Sequence, residues 1–429
     1  MRFNTLALLI TAGTLSNALP APQDDPSSSL PTEASSDPIV ASEQVDQLAL
    51  FAEQQVKASL EQKSRKRATC NINNVAIRRE WNDLSKKERK AYTDAVLCLQ
   101  AKKAKTPASL IPGAKSRFDD FVGTHINQTN NIHFTGTFLG WHRYFAWHYE
   151  QALRNECGYK GYQPYWNWAK TAESTLEKSP MLDGSEYSMS GNGEFIPGRG
   201  NVVIANTGPP EIEIPAGSGG GCVKSGPFKD MSTYSPRMRL YRHERADIGL
   251  VEVNLGPVSL GLTNGSTISN GDGLSYNPRC LKRDLTNYAN QQWADAPAVA
   301  SLILQNRDIW NFEMTMQGWP GGPSLGVHGG GHYSMGGDPG RDFFVSPGEP
   351  LFYLHHAQID RTWWIWQQLD RKTRMSGDGI SGTGTFLNNP PSANTTLETM
   401  VDLGYAAGPP VPMADLMSTT EGPMCYIYL

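Results

Sequence analysis

The sequence predicts a mainly α-helical fold in which a helical core carries long irregular loops. Four segments have apolar residues at helical spacing, and 42 glycines and 29 prolines imply extensive loops in a chain of 429 residues. Residues 170–285 are rich in Gly, Pro and Ser and show no convincing period. No repeat at solenoid spacing is present. The expected architecture is therefore a helical domain with one long irregular insertion.

The predicted helices cover residues 85–103, 135–158, a segment from about 297, and 350–372. The first has apolar or aromatic residues at positions 92, 96, 97 and 99 with charges around them. The second and fourth are largely apolar, so we expect both to lie in the core.

The first 67 residues carry targeting and processing signals. Residues 1–18 read as a signal peptide, with Arg2, the apolar run LALLI and a small-residue cleavage site; the alternative is a buried N-terminal helix. Residues 19–67 read as a propeptide: a stretch rich in Pro, Ser and acid, a short helix, and a basic run ending in Lys66-Arg67. Such a run is otherwise a solvated surface. We therefore expect a secreted protein with one mature domain, residues 68–429.

Composition excludes several classes of partner. The net charge of −4 and the 19% of charged residues argue against nucleic acid and against electrostatic membrane binding. No later segment is apolar for long enough to span a bilayer. Six cysteines in a secreted chain predict disulfides, and we expect Cys70–Cys425 to tie the mature ends together. Asn127, Asn264 and Asn394 are predicted N-glycan acceptors.

Eight of the nine histidines fall into two clusters, at 125, 133, 142 and 148 and at 328, 332, 355 and 356. His243 stands alone and is interpreted as structural. His142 shares an apolar helix face with Phe145, Tyr149 and Leu153 and should point inward, whereas His148 is turned away from it. We expect His125 and His133 to reach His142 from a loop.

In the second cluster, His328 and His332 flank three glycines, which are weak helix formers. Glycine there suggests that something must come close to this segment. His355 and His356 open the fourth helix, and Asp360 lies one turn after His356. Periodicity does not choose between His355 and His356 as the inward residue.

Three histidines from each half of the chain would make two facing metal sites. Imidazole suits Zn, Cu, Fe and Ni. Two sets rather than one, no HExxH spacing and no cysteine in either set favour copper over zinc. The alternative is that these are ordinary core or surface histidines.

The motifs around these histidines resemble a known family. HFTGTFLGWHRYFAWHYE is similar to the first copper motif of tyrosinases and catechol oxidases, and HGGGH followed by FYLHHAQIDRTWWIW is similar to the second. The likeness covers about residues 70–429 and is greatest to the short secreted polyphenol oxidases of filamentous fungi, which lack a C-terminal lid domain. It implies an antiparallel helical bundle with a few short strands, enclosing a type 3 dicopper centre. Small phenols and O2 would be the substrates.

The resemblance also implies roles for individual residues. The implied copper ligands are His125, His133 and His142 for one ion and His328, His332 and His356 for the other. His355 is then not a ligand, and the glycines of HGGGH leave room beside the metals and the substrate mouth.

Outside the ligand sets, the resemblance pairs Asp360 with Arg143. The Tyr-x-Tyr motif formed by Tyr426 and Tyr428 would close the core against an arginine such as Arg79.

The chain departs from the family pattern near the implied site. Asn131 stands where many relatives carry a cysteine linked to the second histidine, so no thioether can form. Gly329 replaces the asparagine of many strong monophenolases. The water-orienting carboxylate is uncertain, because Gln317 fits the spacing and Glu313 is the nearby acid. We therefore expect monophenol hydroxylation to be weaker than catechol oxidation.

Phe343 occupies the place of a gate residue above the first copper, where its bulk would hinder phenols more than diphenols. Ordinary core packing is the alternative for this side chain.

The predicted function is a secreted type 3 copper oxidase that converts o-diphenols to o-quinones with O2. The alternatives are a tyrosinase with strong monophenolase activity, haemocyanin-like reversible O2 binding, and a secreted structural or sugar-binding protein without copper.

Overall fold

Long helices form the core of the protein in the computed structural model, which describes residues 30–65, 69–204, 211–229, 253–258 and 271–429. The helices are α1 (Pro38–Arg65), α2 (Lys86–Ala101), α3 (Arg117–Ile132), α4 (Phe138–Cys157), α5 (Trp168–Ala172), α6 (Asn287–Trp293), α7 (Ala296–Gln305), α8 (Ile309–Gln317), α9 (Gly326–Met335), α10 (Leu351–Leu369) and α11 (Arg371–Arg374). The mainly α-helical prediction is confirmed.

Helix α10 lies at the centre of the fold. Every residue from Leu351 to Gln368 is buried, as expected for a helix that is apolar on most of its surface. Helix α10 packs against α1, α4, α7 and α9, and α4 packs in turn against α2 and α3. The histidine-bearing helices α3, α4, α9 and α10 are therefore brought together around one core.

Three predicted helices agree with the structure, as α2, α4 and α10. The third predicted segment instead forms two helices, α7 and α8, because Asp308 caps a new helix by accepting a hydrogen bond from the amide of Asn311. The prediction that His125 lies in a loop is wrong, since it sits in α3. Ser116 and Asp119 form a capping box there, and the buried Phe118 and Phe121 anchor a segment of low helix propensity.

Helix α1 lies within the sequence interpreted as a propeptide, yet it packs against α7 and α10. Its buried stripe follows helical spacing and comprises Ala41, Val45, Leu48, Ala52, Val56 and Leu60. Residues 31–429 form one compact unit that includes this helix. The helix is longer than the sequence suggested, and its apolar stripe is covered by the core.

Short strands join distant parts of the chain. The strands are β1 (Ala76–Arg78), β2 (Gly193–Phe195), β3 (Val202–Ile204), β4 (Ile212–Ile214), β5 (Gly220–Val223), β6 (Met400–Val401), β7 (Val411–Pro412) and β8 (Tyr426–Tyr428). Strands β1 and β8 pair in parallel, with Arg78 opposite Tyr428. The pairs β2–β5, β3–β4 and β6–β7 are antiparallel.

Three disulfides staple these elements. The predicted Cys70–Cys425 bond is present beside the β1–β8 pair, and Cys98–Cys157 and Cys222–Cys280 complete the set. Because all six cysteines are used in this way, none is left for a thioether to histidine.

Some residues singled out by the sequence analysis lie on the surface, and others lie outside the described residues. Asn127 and Asn394 are exposed, and their glycosylation stays a prediction. His243, Asn264, residues 1–18 and the dibasic pair lie outside the described residues. Among the helices described, none combines the length and apolar character needed to cross a membrane.

Candidate metal centre

Helices α3 and α4 bring three histidines of the first half together. His125 lies in α3, His133 directly follows it, and His142 lies in the second turn of α4. In each ring Nδ1 bonds a backbone carbonyl, at 2.7 Å (His125 to Phe344), 2.9 Å (His133 to Thr129) and 2.8 Å (His142 to Phe138). A neutral imidazole that donates from Nδ1 keeps the Nε2 lone pair free. The backbone thus selects the tautomer that can bind a metal through Nε2.

This first histidine cluster is buried and has the properties of a metal site. One nitrogen from each ring lies within 4.8 Å of the others. The buried Nε2 atoms of His125 and His142 have no hydrogen-bond partner. Burial lowers the pKa of His133 to about 3, so that ring is neutral at neutral pH. Unsatisfied, uncharged nitrogens that point together are suited to a metal ion.

Helices α9 and α10 supply the second histidine cluster, His328, His332, His355 and His356, with ligand nitrogens also within 4.8 Å of one another. The Nδ1 atom of His332 bonds the carbonyl of Gly340 at 2.9 Å, and its Nε2 lies 3.4 Å from Nε2 of His356. Burial lowers the pKa of His332 to about 4. Because Nδ1 of His332 donates to a carbonyl, its Nε2 presents a lone pair towards Nε2 of His356.

His355 differs from its neighbours in its hydrogen bonding. The indole Nε1–H of Trp168 donates to Nδ1 of His355 at 3.1 Å. Nδ1 must therefore carry a lone pair, and the proton of the neutral ring resides on Nε2. A protonated Nε2 cannot bind a metal ion, so the hydrogen bond from Trp168 distinguishes His355 from His356, which periodicity could not do.

The two histidine clusters face each other. The ring of His142 stacks on that of His356 at 4.5 Å between centroids, and His133 stacks on His328 at 5.7 Å. His148 lies apart, against Tyr144 and Trp147, as predicted. The structure therefore places three histidines of one half against those of the other half.

The glycines between His328 and His332 lie against other protein groups rather than against open space. A Cβ on Gly330 would lie 2.8 Å from Cβ of Trp293 in α6. A Cβ on Gly331 would overlap the imidazole of His355. Gly329 is the least constrained of the three, with only Leu325 near its added Cβ. The expectation of room beside metal and substrate therefore applies at most to Gly329.

Asp360 is a buried acid that lies one turn beyond His356 on α10. Asp360 Oδ1 accepts from Nε of Arg143 at 2.5 Å, which confirms the predicted pair. The hydroxyls of Tyr426 and Tyr428 donate to Asp360 Oδ2 at 2.6 and 2.5 Å. Strand β8 is thereby attached to α10 one turn beyond His356.

The arginine predicted to face the tyrosine motif was assigned one position too late. Arg78 is fully buried, with its guanidinium over the ring of Tyr426 at 3.7 Å and its Nε 3.0 Å from Glu150. Arg79 instead pairs with Glu88 near the surface. Alternation along β1 explains the difference, because Arg78 faces the core and the next side chain faces away.

Gln317 has a structural partner. Its Oε1 accepts from the backbone amide of Phe134 at 2.8 Å. Phe134 directly follows His133 and has a φ of 49°, which is unusual for a residue other than glycine. Gln317 thus holds the turn that presents His133. Burial raises the pKa of nearby Glu313 well above its usual range.

Phe343 lies against the first histidine cluster. Its ring is 4.4 Å from that of His133, and Phe386 stands 6.1 Å from Phe343 and 5.0 Å from Phe134. All three phenylalanines are half-buried. Sequence reasoning missed Phe386, because a residue in an aperiodic loop 43 positions away gives no local signal of this contact.

The chain resembles proteins with known names. The common central domain of tyrosinase matches residues 115–369. Tyrosinase P of Aspergillus terreus is 37% identical over 353 residues, covering 82% of this chain and 91% of that protein. The N-acetyl-6-hydroxytryptophan oxidase ivoB of Emericella nidulans is 35% identical, covering 84% and 93%. The structure of a glycine-to-asparagine mutant of polyphenol oxidase from Thermothelomyces thermophila is 42% identical, with a TM-score of 0.79, covering 92% and 99%.

Two facing histidine clusters inside a helical bundle, together with these matches, define a type 3 copper protein. Within that class the chain belongs to the tyrosinase family and is a polyphenol oxidase, with a dinuclear copper centre and O2 as co-substrate.

Proposed function

We propose that this protein is a secreted catechol oxidase that converts o-diphenols to o-quinones with O2. The convergence of imidazole nitrogens within two facing histidine clusters carries the proposal. When bound, two copper ions supply the redox chemistry that couples the two-electron oxidation of the diphenol to the reduction of O2.

The proposed ligands are His125, His133 and His142 for one copper and His328, His332 and His356 for the other. Buried Nε2 atoms without partners on His125, His142 and His328 support this assignment, since such atoms otherwise cost free energy. Nε2 of His355 is also buried without a partner, so its hydrogen bond at Nδ1 has to distinguish it. His355 is excluded because Trp168 donates to its Nδ1.

The residues at positions 313, 317 and 329 do not supply a base that would deprotonate a phenol. Their chemistry therefore supports a preference for diphenols over monophenols. The amide oxygen of Gln317 is already bonded to Phe134. Burial raises the pKa of Glu313 and so disfavours its charged form, which is the form that accepts a proton. Gly329 has no side chain to orient a water molecule. A catechol is more acidic than a simple phenol and depends less on such a base.

The names of relatives agree with oxidation of hydroxylated aromatic rings. One relative is called an N-acetyl-6-hydroxytryptophan oxidase, and a solved relative is a polyphenol oxidase. Tyrosinase P represents the alternative, in which monophenol hydroxylation is also fast. Three disulfides support secretion, because such bonds persist in oxidising compartments.

Oxygen uptake by the copper-loaded protein tests the proposal. We expect rapid uptake with 4-methylcatechol and uptake at least tenfold slower with 4-methylphenol. Comparable rates on both would contradict the diphenol preference. Reversible O2 binding without turnover of either compound would instead indicate a carrier, as in haemocyanins.

A further inference from the structure

Phe343 is a half-buried ring beside the first histidine cluster. The other described phenylalanine and tryptophan rings that flank this cluster are buried, namely Phe138, Trp141, Phe145 and Phe352. In the second cluster His332 is half-buried, whereas the other three histidines are buried. The carbonyl of Gly340 bonds His332, and Phe343 follows three residues later. The part of the chain that includes Gly340 and Phe343 therefore borders the accessible side of the two clusters.

Two further phenylalanine rings extend this accessible side. Phe386 is in edge-to-face contact with Phe343, at 6.1 Å between ring centroids, and with Phe134, at 5.0 Å. All three side chains are half-buried. Three separate segments of the chain thus bring apolar rings to one partly open surface. We call Phe134, Phe343 and Phe386 the aromatic wall.

The backbone that carries two of these rings has an uncommon conformation. Phe134 and Leu387 each have a φ of 49°, a left-handed value that bulky residues rarely adopt. The amide of Leu387 donates to the carbonyl of Phe134 at 3.2 Å, and the amide of Phe134 donates to Gln317 at 2.8 Å. Such conformations persist where surrounding contacts impose them, and they cluster at functional sites. Backbone hydrogen bonds therefore set the positions of Phe134 and Phe386.

The loop that carries Phe386 is attached to the end of α3 and to the turn that follows it. Asn131 donates from Nδ2 to the carbonyl of Gly384 at 2.8 Å, and the amide of Gly136 donates to the carbonyl of Thr383 at 3.1 Å. Asn131 is the residue that stands where many relatives carry a cysteine. In this chain its side chain fastens the Phe386 loop beside the first histidine cluster.

We propose that Phe386 is a specificity-determining residue that contacts an apolar substituent of the diphenol. A diphenol has to approach the histidine clusters with its two hydroxyl groups first, so a substituent at C4 points outwards. On the accessible side that substituent meets the aromatic wall, and its burial there lowers KM. Diphenols with a bulky apolar group at C4 are then preferred over unsubstituted catechol. This inference rests on the proposed oxidation of diphenols and adds the class of substituent.

The test compares 4-tert-butylcatechol with catechol in oxygen uptake by the copper-loaded protein. Phe386→Ala should lower kcat/KM for 4-tert-butylcatechol roughly fivefold through KM, because apolar contact is lost, and should change kcat/KM for catechol less than about twofold. Phe386→Leu, which keeps an apolar side chain, should retain most of the preference. Phe195→Ala removes an equally large ring that is 64% exposed in β2, and as the matched control it should change neither value.

Three results would overturn the role of Phe386. An equal loss for both diphenols in Phe386→Ala would indicate a structural residue that does not select between substrates. An unchanged ratio would show that the substituent does not reach this ring. A rise in kcat/KM for 4-tert-butylcatechol would show that the ring obstructs the substrate.

Binding without turnover separates this inference from the proposed function. The probes are 4-tert-butylbenzoate and benzoate, neither of which can be oxidised to an o-quinone as a diphenol is. Calorimetry should show that the copper-loaded wild-type protein binds 4-tert-butylbenzoate more tightly, and Phe386→Ala should lose this difference. Equal affinity of the wild type for both probes would contradict the contact with the aromatic wall. No oxygen uptake with either diphenol by the wild type would refute the oxidase, while the benzoate comparison would still test the contact.

Discussion

The carboxylate of Asp360 lies 2.5 Å from Nε of Arg143 and also accepts hydrogen bonds from Tyr426 and Tyr428. All four side chains are buried. One acid thus connects α4, α10 and the last strand of the chain. Because Asp360 lies one turn beyond His356, the same contact orients α10, the helix that bears His355 and His356.

Asp360→Asn should destabilise the fold strongly. The substitution leaves the buried Arg143 without its counter-charge, which costs about 3–5 kcal/mol of unfolding free energy. Asp94→Asn, in the exposed pair with Lys90, is the control and should cost less than about 1 kcal/mol. Urea denaturation measures both, and similar effects for the two variants would contradict the role given to Asp360.

Gly331→Ala should disturb His355. The added methyl group overlaps that imidazole, and we expect a loss of about 1–3 kcal/mol. Gly200→Ala, where an added Cβ meets nothing, should be neutral. In a double-mutant cycle with His355→Ala, the penalty of Gly331→Ala should shrink, because the overlapping ring is gone. Additive effects would show that His355 is not the neighbour that requires glycine.

Helix α1 should contribute to stability although it lies in the predicted propeptide. Leu48 is fully buried against the core, whereas Leu50 is 53% exposed on the same helix. Leu48→Ala should cost about 2–4 kcal/mol of unfolding free energy, and Leu50→Ala should cost less than about 0.5. The pair is to be measured on the chain that begins at residue 31. Equal, small effects would mean that α1 does not dock in solution.

Two buried acids, Glu80 and Asp119, should contribute stability that is lost as the pH rises towards neutrality. Burial raises the pKa of Glu80 to about 7 and that of Asp119 to about 6. The folded state therefore favours the protonated acids. Their contribution is complete below the unfolded pKa values and is lost as the pH rises through about 6 to 7.

Burial lowers the pKa of His133 and His332, and these rings act in the opposite direction, so the test compares the variant with the wild type at each pH. In Glu80→Gln, which keeps an oxygen to accept from the amide of Asn82, the melting temperature relative to the wild type should be higher at pH 7.5 than at pH 5. A profile identical to that of the wild type would show that Glu80 has an ordinary pKa.

Local sequence patterns were sufficient to predict helices α2, α4 and α10 and the two histidine clusters, because apolar periodicity identifies the helices and residue type identifies the clusters. They failed for α3, where capping and buried phenylalanines outweigh a run of weak helix formers. The exclusion of His355 depends on Trp168, 187 positions away, and the engagement of Gln317 on Phe134, 183 positions away. Contacts between such distant residues leave no trace in local spacing.

Copper stoichiometry tests the central claim most directly. The wild-type protein should bind two copper ions per chain, His356→Gln and His142→Gln should each bind about one or fewer, and His355→Gln should still bind two. One ion or none in the wild type, or loss of copper on substitution of His355 but not of His356, would contradict the account.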